Sequence, residues 1–341
     1  MIRWCERDDI DPELAGTVCT IGVFDGVHRG HRAVLEETVR QARRLGIPSL
    51  ALTFDPHPRQ VHAPEGAVPL VTTLDDRLDR LEALGIDIAY VQHYTLDYAS
   101  QSARDFIESQ LLNQLKARAI VVGEDVRFGR GNEGDGEFLM KVAGEHGVSV
   151  TLLDDLTDAR TDRRWSSTWV REMLKGGNVE CAARVLGRPH RLRGTVIHGF
   201  KRGRQLGFPT ANLLAEDAGV VPEDGVYAGW LIRSVGPAAT EHLPAAISIG
   251  SNPQFDGQTR TVEAHVLGRA DLDLYGEEIA LDFIAHLRPI LRFSSVEELL
   301  EQMDEDLRHT AQALGVPVAG RVDPALVTAG AADTVAKARA T

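Results

Sequence analysis

Between residues 17 and 153 the chain repeats one rhythm, a short apolar run followed by a turn and a helical period. The runs at 17–23, 49–54, 86–91, 119–123 and 149–153 read as strands, and the periods at 30–45, 74–84, 103–115 and 137–146 read as helices. Such alternation leaves few folds open. The strands must pair in parallel, helices must cover the sheet, and ligands bind beyond the carboxyl ends of the strands. Two unusual turns fall on that rim: the segment 22–31 follows the first run, and Asp55, Pro56, His57 and Pro58 follow the second.

The rhythm stops near Leu186, where Gly187, Arg188 and Pro189 break a helix. Strand-like runs at 194–197, 225–232, 245–249, 261–267 and 278–287 predict a mostly antiparallel second domain, a small barrel. A helix over 294–314 closes it, with Ser294 or Ser295 as cap and Glu297 or Glu298 in capping-box position. From Gly320 onward large apolar residues are scarce, so the tail is expected to fray. The expected fold class is α/β plus β, with domains at 1–186 and 187–318 and a flexible tail at 319–341. A length of 341 residues agrees with two domains at about 150 residues each.

A net charge of −13 repels polyanions and argues against a nucleic-acid binder working through counterion release. No apolar run approaches the roughly 20 residues needed to span a bilayer, so no membrane association is expected. The charged start at 1–9 lacks the apolar core of a secretory signal. Cys5, Cys19 and Cys181 lie too far apart for a thiol motif. These features predict a reducing, cytoplasmic setting.

The turn 22–31 carries Gly22, Phe24, Asp25, Gly26, His28, Gly30 and His31. Its glycines let a phosphate approach the backbone, and the helix starting near Gly30 offers unpaired N–H groups. His28 and His31, three apart at a helix start, point the same way and can donate to a phosphate as charge builds. That suits nucleotidyl transfer without a protein nucleophile. A two-histidine, one-carboxylate metal site from Asp25, His28 and His31 is the competing reading. The segment 165–171 supplies hydroxyls and a guanidinium for a departing pyrophosphate, with Ser166 or Ser167 capping the next helix.

The histidine motif and the serine-threonine-arginine segment together resemble the nucleotidylyltransferase superfamily. More specifically, they resemble the bacterial bifunctional riboflavin kinase/FMN adenylyltransferase (FAD synthetase) family. The likeness extends through residues 53–58 and 121–129 and through the second half to about Leu314. It implies an N-terminal Rossmann-like nucleotidylyltransferase domain and a C-terminal Greek-key barrel with riboflavin kinase activity. Riboflavin would be phosphorylated by ATP to FMN and ADP, and FMN adenylylated by a second ATP to FAD and pyrophosphate. On this resemblance His28 and His31 are catalytic, and Gly22, Phe24, Asp25, Gly26, Gly30, Asp125, Ser167, Thr168 and Arg171 hold ATP. Asp55, Pro56, His57 and Pro58 border the flavin, with Arg59 or His57 as a phosphate donor. Val126 stands where the family pattern carries an aromatic.

In the second half no Walker motif is present, yet the glycines of 199–207 can wrap phosphates. Thr210 offers a hydroxyl and Asn212 a carbonyl to a hard Mg2+ ion. The segment 203–212 is similar to the riboflavin kinase signature, which assigns Gly199, Lys201, Gly203, Gly207, Pro209, Thr210 and Asn212 to ATP, and Thr210 and Asn212 to the metal as well. Glu263 matches the family's general base, and His265, on the same strand face, would orient it or stand exposed. Gln254 departs from the family's threonine between Pro253 and Phe255. Asp273, Leu274, Tyr275, Gly276 and Arg288 complete the signature. A homo-oligomer is compatible with all of this. The rival readings are a transferase whose second half only binds flavin, and a flavin-binding regulator that turns nothing over.

Overall fold

In the computed structural model, successive residues of each strand in the first half point to opposite faces of one sheet, and the four central strands are buried on both faces. All residues are described except 67–68, 199–205, 215–218, 237–238, 252–259, 325 and 327–341. The contacts divide the chain into two units, Met1–Ser167 and Thr168–Thr341.

The first unit holds six parallel strands: β1 (Ile2–Trp4), β2 (Thr17–Ile21), β3 (Ser49–Asp55), β4 (Ile88–His93), β5 (Ala117–Gly123) and β6 (Ser149–Leu153). Their order is β1-β4-β3-β2-β5-β6. Leu50, Leu52, Ile88, Ile120 and Val122 face one layer, with Ile107, Leu111, Leu139 and Val142 from the helical segments 103–114 and α3 (Gly136–Glu145). Ala51, Ala89 and Val91 face the other, against α1 (Arg29–Leu45) and α2 (Leu74–Ala83). Helices therefore change sides between the β2–β3–β4 half and the β5–β6 half. The switch lies between β2 and β5, where a doubly wound sheet opens its crevice. The expected strands and helices are found, and β1 is an additional one. Only three residues long and flanked by charge, it shows no readable period, and it is held by pairing with β4.

The second unit begins with α4 (Ser167–Lys175, whose first residue ends the first unit) and α5 (Val179–Leu186). A closed antiparallel barrel follows: β7 (His190–Ile197), β8 (Ala211–Leu214), β9 (Gly225–Gly236), β10 (Ala239–Ser251), β11 (Arg260–Val266) and β12 (Glu278–Arg288). The ring order is β10-β11-β8-β7-β12-β9. The consecutive strands β9, β10 and β11 pair in turn and β12 returns beside β9, which makes a Greek key. The terminal helix α6 (Val296–Leu314) is capped by Ser295, whose side chain accepts from the Glu298 N–H. Its Asp306 takes a two-pronged bond from Arg288 at 2.8 and 2.6 Å, so Arg288 ties the barrel to its closing helix. Beyond it, Arg321 bonds Asp304, and the Val322 N–H donates to the Gly207 carbonyl at 3.2 Å. Residues 327–341 lie outside the described residues. No helix among the described residues is long and apolar enough to cross a membrane.

Candidate active sites

The turn after β2 is strained and braced. Phe24 and Val27 hold φ of 52° and 40°, a region costly to a β-branched valine, by roughly 1–3 kcal/mol for such positions. The bracing comes from Asp25, only 2 % exposed, whose carboxylate accepts from the backbone N–H groups of Val71 and Thr72 at 3.1 Å each. Thr72 Oγ1 in turn accepts from Gly26 N–H at 3.1 Å. The Phe24 ring folds back over Gly22, where any added Cβ would come within 2.8 Å of it. Asp25 thus shapes the turn through the backbone.

His28 is the cap of α1. Its Nδ1 accepts from the His31 N–H at 3.3 Å, which leaves the ring proton on Nε2. The two imidazoles stack at 3.7 Å between centroids, and the Phe24 edge meets His31 at 5.4 Å. Burial, with the positive charges of Arg77 and Arg164, holds His31 well below the ordinary imidazole range and favours its neutral ring. Gly30 keeps this pair close, because a Cβ there would press on the His28 ring at 3.1 Å. Arg29 lies 5.8 Å over the Trp165 ring.

At the switch point the opposite wall is Asp125, after β5. Its carboxylate pairs with Arg164, which also bonds Asp155 at 2.8 Å. Ser167 donates from Oγ to the Asp25 carbonyl at 2.8 Å, joining the serine segment to the histidine turn. The helix starts at Ser167, which leaves Ser166 at the cap position. Thr168 and Arg171 follow along that helix within the second unit.

The turn after β3 contains a cis Asp55–Pro56 bond. His57 caps the helical turn Pro58–His62: its Nδ1 accepts from Arg59 N–H at 3.0 Å, while its own N–H donates to Gln60 at 3.0 Å. Tyr94, at the end of β4, donates its N–H to the Asp55 carbonyl and shares a 3.0 Å bond between its hydroxyl and His62 Nε2. Phe54, Tyr94 and Tyr98 meet edge to face or tilted at 5.6–6.3 Å, forming an aromatic wall beside this turn. Sequence reading missed that wall. Its members come from the end of β3, the residue after β4 and the helical turn Leu96–Ala99, and the parallel pairing of β3 with β4 brings them together.

In the barrel, Asn212 on β8 stands opposite Glu263 on β11, so the two side chains share a face, and Thr210 lies two residues before Asn212. Thr210 Oγ1 donates to Glu263 at 3.3 Å, and Asn212 Nδ2 donates to Thr210 Oγ1 at 3.2 Å. Burial raises the Glu263 carboxyl above the ordinary range, partly offset by the Thr210 bond. His265 neither orients Glu263 nor stands exposed. It is 4 % exposed, its Nδ1 bonds the Pro209 carbonyl at 2.8 Å, and it fixes the segment leading into Thr210. Gly207 has φ 84° and packs against the Val322 carbonyl, which a Cβ would meet at 2.6 Å. Beside Thr210 a recess is lined by Pro209, Val266, Leu272, Leu274 and Tyr275. Gly199, Lys201, Gly203 and Gln254 lie outside the described residues.

Family models match the chain in two stretches, FAD synthetase over residues 10–168 and riboflavin kinase over residues 186–314. A bifunctional riboflavin kinase/FMN adenylyltransferase of Escherichia coli strain K12 is 36 % identical over 85 % of this chain and 90 % of its own length. One from Listeria monocytogenes is 37 % identical over 86 % and 91 %. Among solved structures, one described as a macrolide-efflux protein from Streptococcus pneumoniae superposes with a TM-score of 0.81. It is 28 % identical and covers 91 % of this chain and 98 % of that one.

Proposed function

The chain belongs to the bifunctional riboflavin kinase/FMN adenylyltransferase family, and on that premise we propose how its two sites divide the work. The chain is an enzyme that phosphorylates riboflavin with ATP to FMN and adenylylates FMN with a second ATP to FAD and pyrophosphate. The efflux description belongs to the structural neighbour alone. The observation that carries the division is that each unit has its own phosphate-handling cluster, His28 stacked on His31 in one and Thr210, Asn212 and Glu263 in the other. We assign adenylyl transfer to residues 1–186, kinase activity to 187–318, and place both in the cytoplasm, where the free thiols of Cys5, Cys19 and Cys181 stay reduced.

At the first site the attacking group is a phosphate oxygen of FMN, already ionised, so no general base is needed. What lowers the barrier is alignment and neutralisation of the charge growing on the attacked phosphate. The His28 Nε2–H and the neutral imidazole of His31 donate to it, on a helix N-terminus that favours anions. Ser167, whose hydroxyl bonds the Asp25 carbonyl, stands where it can hold the departing pyrophosphate. The flavin ring lies along the β3 and β4 ends, against the aromatic wall, and its phosphate reaches toward β2.

At the second site the primary alcohol of riboflavin gives its proton to Glu263 as it attacks the γ-phosphate. The hydroxyl of Thr210 and the carboxamide oxygen of Asn212, hard donors on one face, would hold a Mg2+ ion. Bound there, Mg2+ supplies charge neutralisation at the phosphates. Glu263 must be ionised to act, and its folded pKa is raised. The acid limb of kinase kcat/KM should therefore lie above the ordinary glutamate value of about 4.3.

The same shift sets a stability effect. A carboxyl whose folded pKa exceeds its unfolded value stabilises the fold only below the unfolded pKa, and that contribution is lost as pH rises through the folded one. At neutral pH ionised Glu263 is thus a destabilising group, and Glu263→Gln should raise the melting temperature modestly while removing kinase activity. An unchanged or lowered melting point at pH 7 would contradict this. The function itself is tested by product analysis: riboflavin with Mg-ATP must yield FMN with ADP, and FMN with Mg-ATP must yield FAD with pyrophosphate.

A further inference from the structure

Arg77, on α2, is fully buried, an arrangement that disfavours its charge and lowers its pKa, with Asp25 and Asp55 opposing that effect. Its Nη1 donates to three acceptors: the Val23 carbonyl at 3.1 Å, Thr53 Oγ1 at 3.1 Å and the Phe54 carbonyl at 2.9 Å. Thr53 Oγ1 also donates to the Val23 carbonyl at 3.1 Å. Val23 is the residue just before the strained histidine turn, and Phe54 is the residue just before Asp55 and the cis proline. One guanidinium nitrogen therefore bridges the roots of both rim turns. The segment leading into α2 grips the first turn a second time, through Val71 and Thr72 on Asp25.

A fully buried arginine is a poor choice for core stability. Replacing such a charge with a well-packed apolar side chain is often neutral or stabilising, so its presence calls for another use. The Val23 carbonyl lies beyond the end of β2, and the Phe54 carbonyl lies beyond Leu52, the last residue of β3 paired with β2. Fixing both from one point fixes the distance between the turns, which the β2–β3 pairing, ending at Ile21 and Leu52, does not do.

We propose that Arg77 is a positioning residue of adenylyl transfer: it sets the separation between the ATP-side turn at 22–31 and the flavin-side turn at 55–58, and so the in-line approach of the two substrates. This rests on the assignment of those turns to ATP and FMN made above. Each turn keeps its own ligand contacts without Arg77. What is lost is their mutual alignment, and an error of about 1 Å there can slow a reaction of this kind on the order of a hundredfold.

The test is FAD formation from FMN by the full-length protein carrying Arg77→Met, Arg77→Lys or Thr53→Val. For Arg77→Met the account expects kcat to fall about 30- to 100-fold while KM for ATP and for FMN each stay within about threefold, because chemistry then limits and KM reports binding. Arg77→Lys keeps the charge but loses the planar fork and should recover only part of the rate. Thr53→Val removes one acceptor and should lower kcat roughly three- to tenfold, again without a KM change. Kinase turnover of the same samples should be unaffected. A melting-point loss with unchanged kcat per folded molecule would make Arg77 a mere core residue and overturn the proposal. A rise confined to one substrate's KM would do the same, by assigning it to that pocket alone. If Arg77→Met does not fold, a wild-type kcat in Arg77→Lys and Thr53→Val refutes the idea equally well. A wild-type protein that makes no FAD from FMN would instead refute the functional reading beneath it.

Discussion

Glu263→Ala is expected to abolish FMN formation from riboflavin, by at least a hundredfold, and to leave added FMN convertible to FAD at the wild-type rate. The size follows from the role: a general base contributes roughly 10²–10⁴ in rate, and among the described residues of the β8–β11 pair Glu263 is the carboxylate on the face that carries Thr210 and Asn212. The selectivity follows from topology. Glu263 sits on a barrel strand of the second unit, whereas the histidine turn belongs to the first. Removing the carboxylate also relieves a buried charge, so the loss of activity should come with no loss of fold. Loss of both activities in a folded variant would mean that the two reactions share a site.

His28→Ala should lower adenylylation by roughly a hundredfold or more, the scale seen when one oxyanion-type donor is removed, with kinase turnover preserved. The structure adds a complication that the sequence alone did not show. His28 caps α1, and deleting a cap costs about 0.5–2 kcal/mol of stability, so an alanine variant mixes two effects. Asparagine separates them, since it caps a helix well but cannot place a ring donor where Nε2 stands. His28→Asn should therefore recover stability without recovering FAD formation. Restored FAD formation would reduce His28 to a cap.

These two residues also mark how far the sequence could be read. The alternating first half announced a parallel sheet because its strands are buried on both faces, and the apolar residues of β2 to β5 leave no polar alternation to mistake for an open sheet. The motif residues were legible for the same reason that the chemistry needs them: glycines, histidines and hydroxyls clustered at the ends of strands. What they touch was not legible. Asp25 reads as a ligand residue, yet its carboxylate reaches some 46 residues ahead to hold the Val71 and Thr72 backbone. His265 reads as a partner of Glu263, but its ring bonds the Pro209 carbonyl instead. Arg77 carries no signal at all, being one basic residue in a charged helical period. Only the folding of α2 across the strand ends reveals it. β8 was hidden inside a segment read as a phosphate loop, since four residues with Asn212 among them do not form a strand until β7 and β11 flank them.

On this reading two independent sites act in sequence on one flavin. Mixing the two single-site variants tests it most directly. Glu263→Ala given riboflavin and Mg-ATP should make neither product, and His28→Ala should stop at FMN. Together, followed by chromatography of riboflavin, FMN and FAD, they should carry riboflavin through to FAD after a lag while FMN builds up. A mixture that yields no FAD although each variant is folded, or a His28→Ala protein that makes no FMN, would contradict the account.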